Sequence, residues 1–517
     1  MILDPTKNKK DAAFCQYFKT NTADSKCMYN TANFYIRNTM TGLKKSPEER
    51  THLETEVLHY VFTGIQKANE VIGQKNMKKK FTELKLAEVG GMNSAVIAFS
   101  IVSQEPFQYP TEEKWFLSYG TLDAIFKFTD NPVYRRMNSH INQNAIRKAV
   151  AAWQGYFESL KAYRKNPAGF TGKPKIPGYK QGKEYTAWFS KQVAKLKEED
   201  GRCYIQFVNN PDRFAIGKAS LYGDLKYVKT EVKAMYGKYY ILITFDDKIA
   251  ESEAPENPKR ILGLDPGVNN FLGVANNFGG APFVMNGRAV KSANQRFNKN
   301  RAKLISSVTK GSDSKSSVKY SKQLNILSQR RESFLRDYFY KCAWYICRYA
   351  KAADVDVIVM GHNDGQKQEI DLKDNVNQNF VSIPYTKFIT ILKTVASKCG
   401  IAVVIQEESY TSQASLLDMD DMPTYKKGEN KKYAFSGKRI HRGLYMSKNG
   451  TLLNADINGA ANILRKEYPN AFDGIKDFTY LCVTTISIGY KDLYRNANAC
   501  AGRPKPYKYH KSGRYTV

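Results

Sequence analysis

Three acidic residues far apart in the chain each end or follow a β-type run. Asp265 closes Ile261-Leu262-Gly263-Leu264, Glu408 follows the apolar run Ile401 to Ile405, and Asp456 sits in Asn454-Ala455-Asp456-Ile457-Asn458-Gly459. A carboxylate at a strand end is rigidly held yet open to solvent. Three of them converging would repel one another unless hard cations lay between them. Mg²⁺ suits such a site, with Mn²⁺ as a substitute, because it takes few carboxylates and keeps positions for water and phosphate oxygens. Two such ions about 4 Å apart are a device for in-line cleavage of a phosphodiester.

The rest of the chain agrees with a polyanionic substrate. Its 517 residues allow several domains, at roughly 100–200 residues each. Lys and Arg number 80 against 49 Asp and Glu, a net charge of +31. Self-repulsion of that size calls for a polyanionic partner. The 34 Tyr and 27 Phe, interleaved with basic residues, suit base stacking and phosphate neutralisation. A histone-like binder carries less core-forming sequence than the 42% found here, which favours an enzyme acting on nucleic acid. The 8 cysteines form no CxxC pair, the closest two being Cys342 and Cys347. That argues against a zinc ribbon and a disulfide framework, and for reduced thiols in a cytoplasmic protein. The start, Met1-Ile2-Leu3-Asp4-Pro5, turns polar at once and reads as no signal peptide. No apolar run is long enough for a membrane span.

Organisation follows from the patterning. Residues 1–165 read as mostly helical. Ile146, Val150, Trp153, Phe157 and Leu160 recur at helical steps, with Gln143, Arg147 and Lys148 on the same stretch. Pro and Gly break the helix over 166–182, where Lys175, Tyr179 and Lys180 are placed to follow a nucleic-acid backbone or to form a basic linker. Residues 184–250 read as β-structure, with Tyr236-Gly237-Lys238 a hairpin turn. Ala254 to Pro258 reads as a linker. From Lys259 onward, strands and helices alternate as in a mixed α/β sheet covered by helices. Gly400 is expected to stop a helix over Tyr385 to Cys399. Residues 490–517 form a basic, Gly/Pro-containing tail expected to be disordered.

Leu264-Asp265-Pro266-Gly267-Val268-Asn269-Asn270, Glu408-Ser409-Tyr410-Thr411-Ser412 and Asn454-Ala455-Asp456-Ile457-Asn458-Gly459-Ala460 resemble the three signatures of TnpB proteins, transposon-encoded relatives of compact Cas12 nucleases such as Cas12f. Gln143 to Phe157, Lys173 to Lys180 and Asn286-Gly287-Arg288 resemble further segments of that family. The resemblance covers roughly residues 130–470. It implies a multidomain α+β fold: a helical recognition lobe and a small β-barrel wedge domain, followed by an RNase H-like (RuvC) mixed α/β nuclease domain. The lobe would span 1–183 with parts of the wedge, the wedge 184–255, and the nuclease 259–489. It implies a prokaryotic, RNA-guided DNA endonuclease whose partners are guide RNA and target double-stranded DNA. Asp265, Glu408 and Asp456 would be the metal-binding catalytic acids. Arg442 would stand near the scissile phosphate. Gln143, Arg147, Lys175, Tyr179 and Lys180 would contact nucleic acid. Glu407 neighbours Glu408, but the Glu-Ser-Tyr-Thr-Ser match and strand alternation select Glu408.

The chain departs from the family in one place. Many relatives carry a four-cysteine zinc ribbon between the second and third acids, whereas residues 413–453 hold no cysteine. Asp418, Asp420, Asp421 and His441 make no convincing substitute. The insert is therefore expected to fold without zinc, or to stay mobile as a lid. Two other readings compete: a guide-directed DNA-binding repressor that does not cut, and an unguided RNase H-fold nuclease or transposase. Transposon and CRISPR association use the same acids and are not separated by them.

Overall fold

The computed structural model describes residues 1–6, 8–89, 104–223, 225–309, 321–362, 383–423, 433–441, 443–475 and 477–493. The chain divides into two compact units, Met1–Lys248 and Ile249–Val517. Among the described residues no helix is long and apolar enough to cross a membrane.

The first unit opens with strand β1 (Ile2–Leu3) and helices α1 (Lys9–Leu43), α2 (His52–Val89), α3 (Tyr119–Phe128), α4 (Pro132–Arg135) and α5 (Ser139–Lys165). Asn8, Ser118 and Asn138 cap α1, α3 and α5 by accepting backbone N–H bonds in the first turn. Ile146, Val150 and Trp153 are buried against Met28, Ile36, Val61 and Phe126, as the helical spacing predicts. The Trp153 indole donates to Asn33 Oδ1 at 2.8 Å, which satisfies a buried amide. Past Pro167 the chain runs without regular structure from Lys173 to Lys180. Asparagines of α1 strap it down: Asn33 donates to Pro177 O at 3.1 Å, and Asn30 both donates to Lys180 O and accepts from its N–H.

Six strands follow: β2 (Ala187–Ser190), β3 (Ala194–Glu199), β4 (Arg202–Phe207), β5 (Arg213–Lys218), β6 (Lys226–Met235) and β7 (Lys238–Asp246). Tyr236 and Gly237 both take positive φ, the geometry of a tight two-residue hairpin closed by Met235 and Lys238. The expected barrel needs correction. Among the described residues these strands form a four-stranded sheet, β1-β7-β6-β2, and a separate three-stranded sheet, β3-β4-β5. A tight turn, Val193 N–H to Ser190 O, carries the chain out of the first sheet into the second, and no pairing rejoins them. The two sheets instead share a core of Phe189, Phe207, Phe214 and Ile241, filled by Phe14 and Phe18 of α1.

The second unit is built on a six-stranded sheet ordered β12-β11-β8-β9-β10-β16. In chain order its elements are β8 (Ile261–Pro266), β9 (Asn270–Asn276), β10 (Phe283–Asn286), α6 (Arg288–Thr309), α7 (Lys322–Ala352), β11 (Val357–Gly361), α8 (Tyr385–Cys399) and β12 (Ala402–Gln406). A small sheet, β13 (Lys438–His441), β14 (Leu444–Met446) and β15 (Leu452–Asn454), leads into α9 (Ala455–Glu467), α10 (Thr479–Cys482) and β16 (Ile486–Ile488). Strands β8, β11 and β12 are parallel, and β9 runs antiparallel to β8. Alternation sorts the faces. Leu262, Leu264, Ile358 and Met360 pack with α7 and α8, whereas Ile261, Val357 and Val359 pack with α9. Gly400 ends α8 in the left-handed conformation, φ 74°.

The tail expected to be disordered is ordered over its described residues, 490–493. Tyr490 packs on Phe334 and Tyr338, and Leu493 is buried. Residues 494–517 lie outside the described residues. So do 424–432 of the insert; its described part packs down rather than standing away. Ala414 and Leu416 are buried, and Asn458 and Asn462 of α9 donate to Ala414 O. Asp418 and Asp420 accept backbone N–H bonds from Lys448, Ser415 and Ser436, which closes the insert on itself.

Candidate active site

The C-terminal ends of the three parallel strands meet at one edge of the sheet, the position where open α/β sheets bind ligands. Ile261, Gly263 and Asp265 alternate onto the α9 side of β8. The chain then turns at Pro266-Gly267, so Asp265 ends up beneath the first turns of α9. A Cβ on Gly459 would lie 2.5 Å from Asp265 Oδ2, so any larger residue there would push the carboxylate aside. Strand glycines answer the small residues of α9. A Cβ on Gly263 would collide with the Ala460 carbonyl, and one on Gly273 with the Asp456 carbonyl.

Asp456 lies in the first turn of α9, where Asn454 caps the helix by accepting from Asp456 N–H at 2.9 Å. The helix dipole favours a negative charge at that position. Asn270 Nδ2 donates to Asp456 Oδ2 at 2.5 Å, and an Arg439 guanidinium nitrogen stands 3.8 Å from Oδ1. Glu408 follows β12 in a turn whose carbonyl accepts from the Thr411 hydroxyl and N–H. It rests against Gly361, where a Cβ would sit 2.8 Å from Oε1. Strand alternation does not separate it from Glu407, because β12 ends at Gln406. Partners do: Glu407 pairs with the Lys466 ammonium at 2.5 Å and accepts from Ser409 N–H.

Asp265, Glu408 and Asp456 line one cavity of about 450 Å³, together with Asn270, Arg288 and Arg439. Burial holds the Asp265 carboxyl well above the usual carboxylate range; the charges of Glu408 and Asp456 add to the effect and Arg439 opposes it. Glu408 is pushed up to about 8, by burial first and by Glu407 second. Among the described residues no three His, Cys, Asp or Glu side chains are grouped closely enough to chelate an ion by themselves. The donor set nonetheless fits a hard cation: the acids bring oxygens only, and glycines on two sides leave them room. Mg²⁺ needs only one or two carboxylates and fills its remaining positions with water and phosphate.

Arg442 lies outside the described residues. Arg439 and Arg288 line the cavity, although neither stands out as a site residue in the sequence. Arg288 follows the recognisable Asn286-Gly287 pair, but Arg439 arrives through the pairing of β13 with β14, for which the sequence carries no local mark. The five candidate nucleic-acid contacts, all in the first unit, separate into groups. Lys175 and Lys180 line a second cavity, of about 270 Å³, with Tyr29, Gly155 and Tyr156. Tyr179 lies under the Arg37 guanidinium, 5.0 Å away. Arg147 stacks on Tyr119 at 4.4 Å, and Gln143 donates to Asp123 at 3.4 Å.

No curated protein matches this chain. Among solved structures it is similar to a Cas12f1–sgRNA–target DNA complex, at 14% identity over 79% of this chain and 82% of that one, with a TM-score of 0.45. It is also similar to a CRISPR–Cas12f ternary complex, at 14% identity over 79% and 81%, with a TM-score of 0.30. Two family models match in succession. Residues 241–366, which contain Asp265, match the OrfB_IS605 family of probable transposases. Residues 385–463, which contain Glu408 and Asp456, match the Cas12f1-like TNB domain. Both matches fall on segments that line the acidic cavity, so it is this part of the chain that is similar to the two families.

Proposed function

We propose that this protein is an RNA-guided DNA endonuclease that hydrolyses phosphodiesters in the acidic cavity of its second unit. The observation that carries the reading is the approach of three carboxylates, from three separate elements, to one cavity at the sheet edge. Asp265, Glu408 and Asp456 would hold Mg²⁺, with Mn²⁺ as a substitute. Divalent ions bound there supply Lewis acidity and an activated water for in-line displacement. The chain's own groups do the rest. Asn270 orients Asp456, and Arg439 and Arg288 offset the negative charge of acids and phosphate together. Arg442 is proposed to join them.

In this reading residues 1–183 form the recognition lobe, 184–255 the wedge and 259–489 the RuvC-like nuclease. The first unit holds guide RNA and target DNA through Lys175, Tyr179 and Lys180, with Gln143 and Arg147 on α5. Base pairing reads the target, while protein reads a flanking motif and the shape of the heteroduplex. The test is to purify the protein expressed with its native flanking DNA, sequence the RNA that stays bound, and assay cutting of matched DNA. A single bound RNA directing Mg²⁺-dependent cleavage is expected, with cleavage abolished in Asp265→Ala, Glu408→Ala and Asp456→Ala while RNA binding persists. Full cutting by any of the three variants would refute the catalytic assignment. Heterogeneous RNA, or cutting without RNA, would refute guidance.

A further inference from the structure

We propose that Tyr385 and Asn270 are positioning residues that act in series to set where Asp456 stands relative to Asp265, and so how tightly the cavity holds divalent cations. The inference rests on the nuclease reading above.

The device begins with a one-residue irregularity in β9. Its pairing with β10 runs Phe283 to Val274, Val284 to Gly273 and Met285 to Leu272, then skips to Asn286 opposite Asn270. Phe271 is the extra residue. A bulge of this kind shifts the phase of everything beyond it. Leu272 and Val274 face α7 and α8, so strict alternation would send Phe271 toward α9 and Asn270 away from it. The bulge reverses both. Phe271 joins the core beneath α7 and α8, and Asn270 turns toward α9, where its amide meets the Asp456 carboxylate at 2.5 Å.

Tyr385 holds this arrangement from below. It is the first residue of α8 and is buried. Its ring stacks on Phe271 with centroids 5.4 Å apart and planes at 11°. Its hydroxyl donates to the Gly267 carbonyl and stands 3.3 Å from the Phe271 carbonyl. Gly267 N–H in turn donates to Phe271 O at 3.2 Å, closing the turn between Asp265 and Asn270. One hydroxyl thus pins both ends of the loop that follows Asp265 and carries Asn270, the amide that orients Asp456. Partners that fix a ligand's orientation commonly set metal affinity by tenfold or more.

The experiment uses the full chain with its co-purified RNA, and Mn²⁺ as the probe, followed by electron paramagnetic resonance. Tyr385→Phe removes the hydroxyl and keeps the ring stack. Asn270→Ala removes the amide. Each is expected to weaken Mn²⁺ binding by about tenfold and to raise the Mg²⁺ concentration for half-maximal cleavage in step. Because the two act through the same carboxylate, the double variant should bind Mn²⁺ no more weakly than the weaker single one. Wild-type Mn²⁺ affinity in either variant, even with a lowered melting temperature, would overturn the inference. Losses that multiply in the double variant would also overturn it. A wild-type protein that binds no Mn²⁺ and cuts no DNA would overturn the nuclease reading itself; a wild type that does both beside unaffected variants would overturn this inference alone.

Discussion

Glu407 and Glu408 are one peptide bond apart, and their partners decide their chemistry. Glu407 is paired with Lys466 and Ser409, while Glu408 is held up at about 8 by burial and by the charge of Glu407. A raised folded-state pKa means that the native protein binds a proton the unfolded chain gives up. Its stabilising contribution is complete below the ordinary value of 4.5 and is lost as pH rises through about 8. Asp265 is shifted in the same direction and adds to that slope. Divalent ions need the deprotonated acids, so they should offset the loss most at the alkaline end. The expected outcome is a melting temperature, measured in EDTA, that falls across this interval and is recovered by Mg²⁺. Glu408→Gln should flatten the fall. An equal slope in wild type and Glu408→Gln would place the titrating proton elsewhere.

Between residues and the whole chain, the decisive element is α9 and its seat on β8 and β9. Asp456 is useful only where α9 can lie almost in contact with the sheet, and Gly263 and Gly273 allow that approach. Gly263→Ala should therefore cost about 1–3 kcal/mol by overpacking and reduce cleavage, because the helix that moves carries an acid. Gly155→Ala is the opposite case. Nothing lies within 4 Å of a Cβ there, inside α5, so the change should stabilise by up to about 1 kcal/mol. Thermal unfolding of both variants checks the contrast; equal effects would mean that helix-to-sheet spacing is not what limits this packing. The same element shows what the sequence could disclose. Gly459-Ala460-Ala461 spell a helix with one small side; its start at Ala455, which takes Asp456 into the first turn under the Asn454 cap, comes from the structure. The Asp265-Pro266-Gly267 turn is local in the sequence too. Arg439 stands outside the three signature segments, and a short hairpin within the insert delivers it to the cavity. Not visible was β16, three residues set beside β10 across a long stretch of chain. The barrel that the resemblance implies does not close among the described residues, because strand content is local but which edges pair is not.

At the scale of the molecule, a chain of net charge +31 carries three acids in one cavity, so its excess of positive charge must serve binding elsewhere. Nucleic-acid affinity should then fall steeply with salt, since each neutralised phosphate releases counterions. The cavity beside α5 gives this a definite test. Lys175 and Lys180 face the same space, and the Lys180 ammonium is oriented by the rings of Tyr29 and Tyr185, at 4.7 and 4.9 Å. The Lys180 backbone is fixed by Asn30, so replacing the side chain leaves the strap to α1 in place. Lys175→Ala with Lys180→Ala should lower the slope of log affinity against log salt by about 2, one for each phosphate that is no longer neutralised. The co-purified RNA, re-bound across a potassium chloride series, supplies the measurement, with melting temperature as the control for folding. An unchanged slope would assign both lysines to solvent and move the phosphate-binding surface to another face of the first unit. A slope reduced by about 1 would keep one lysine on the nucleic acid, and the two single variants would then identify which.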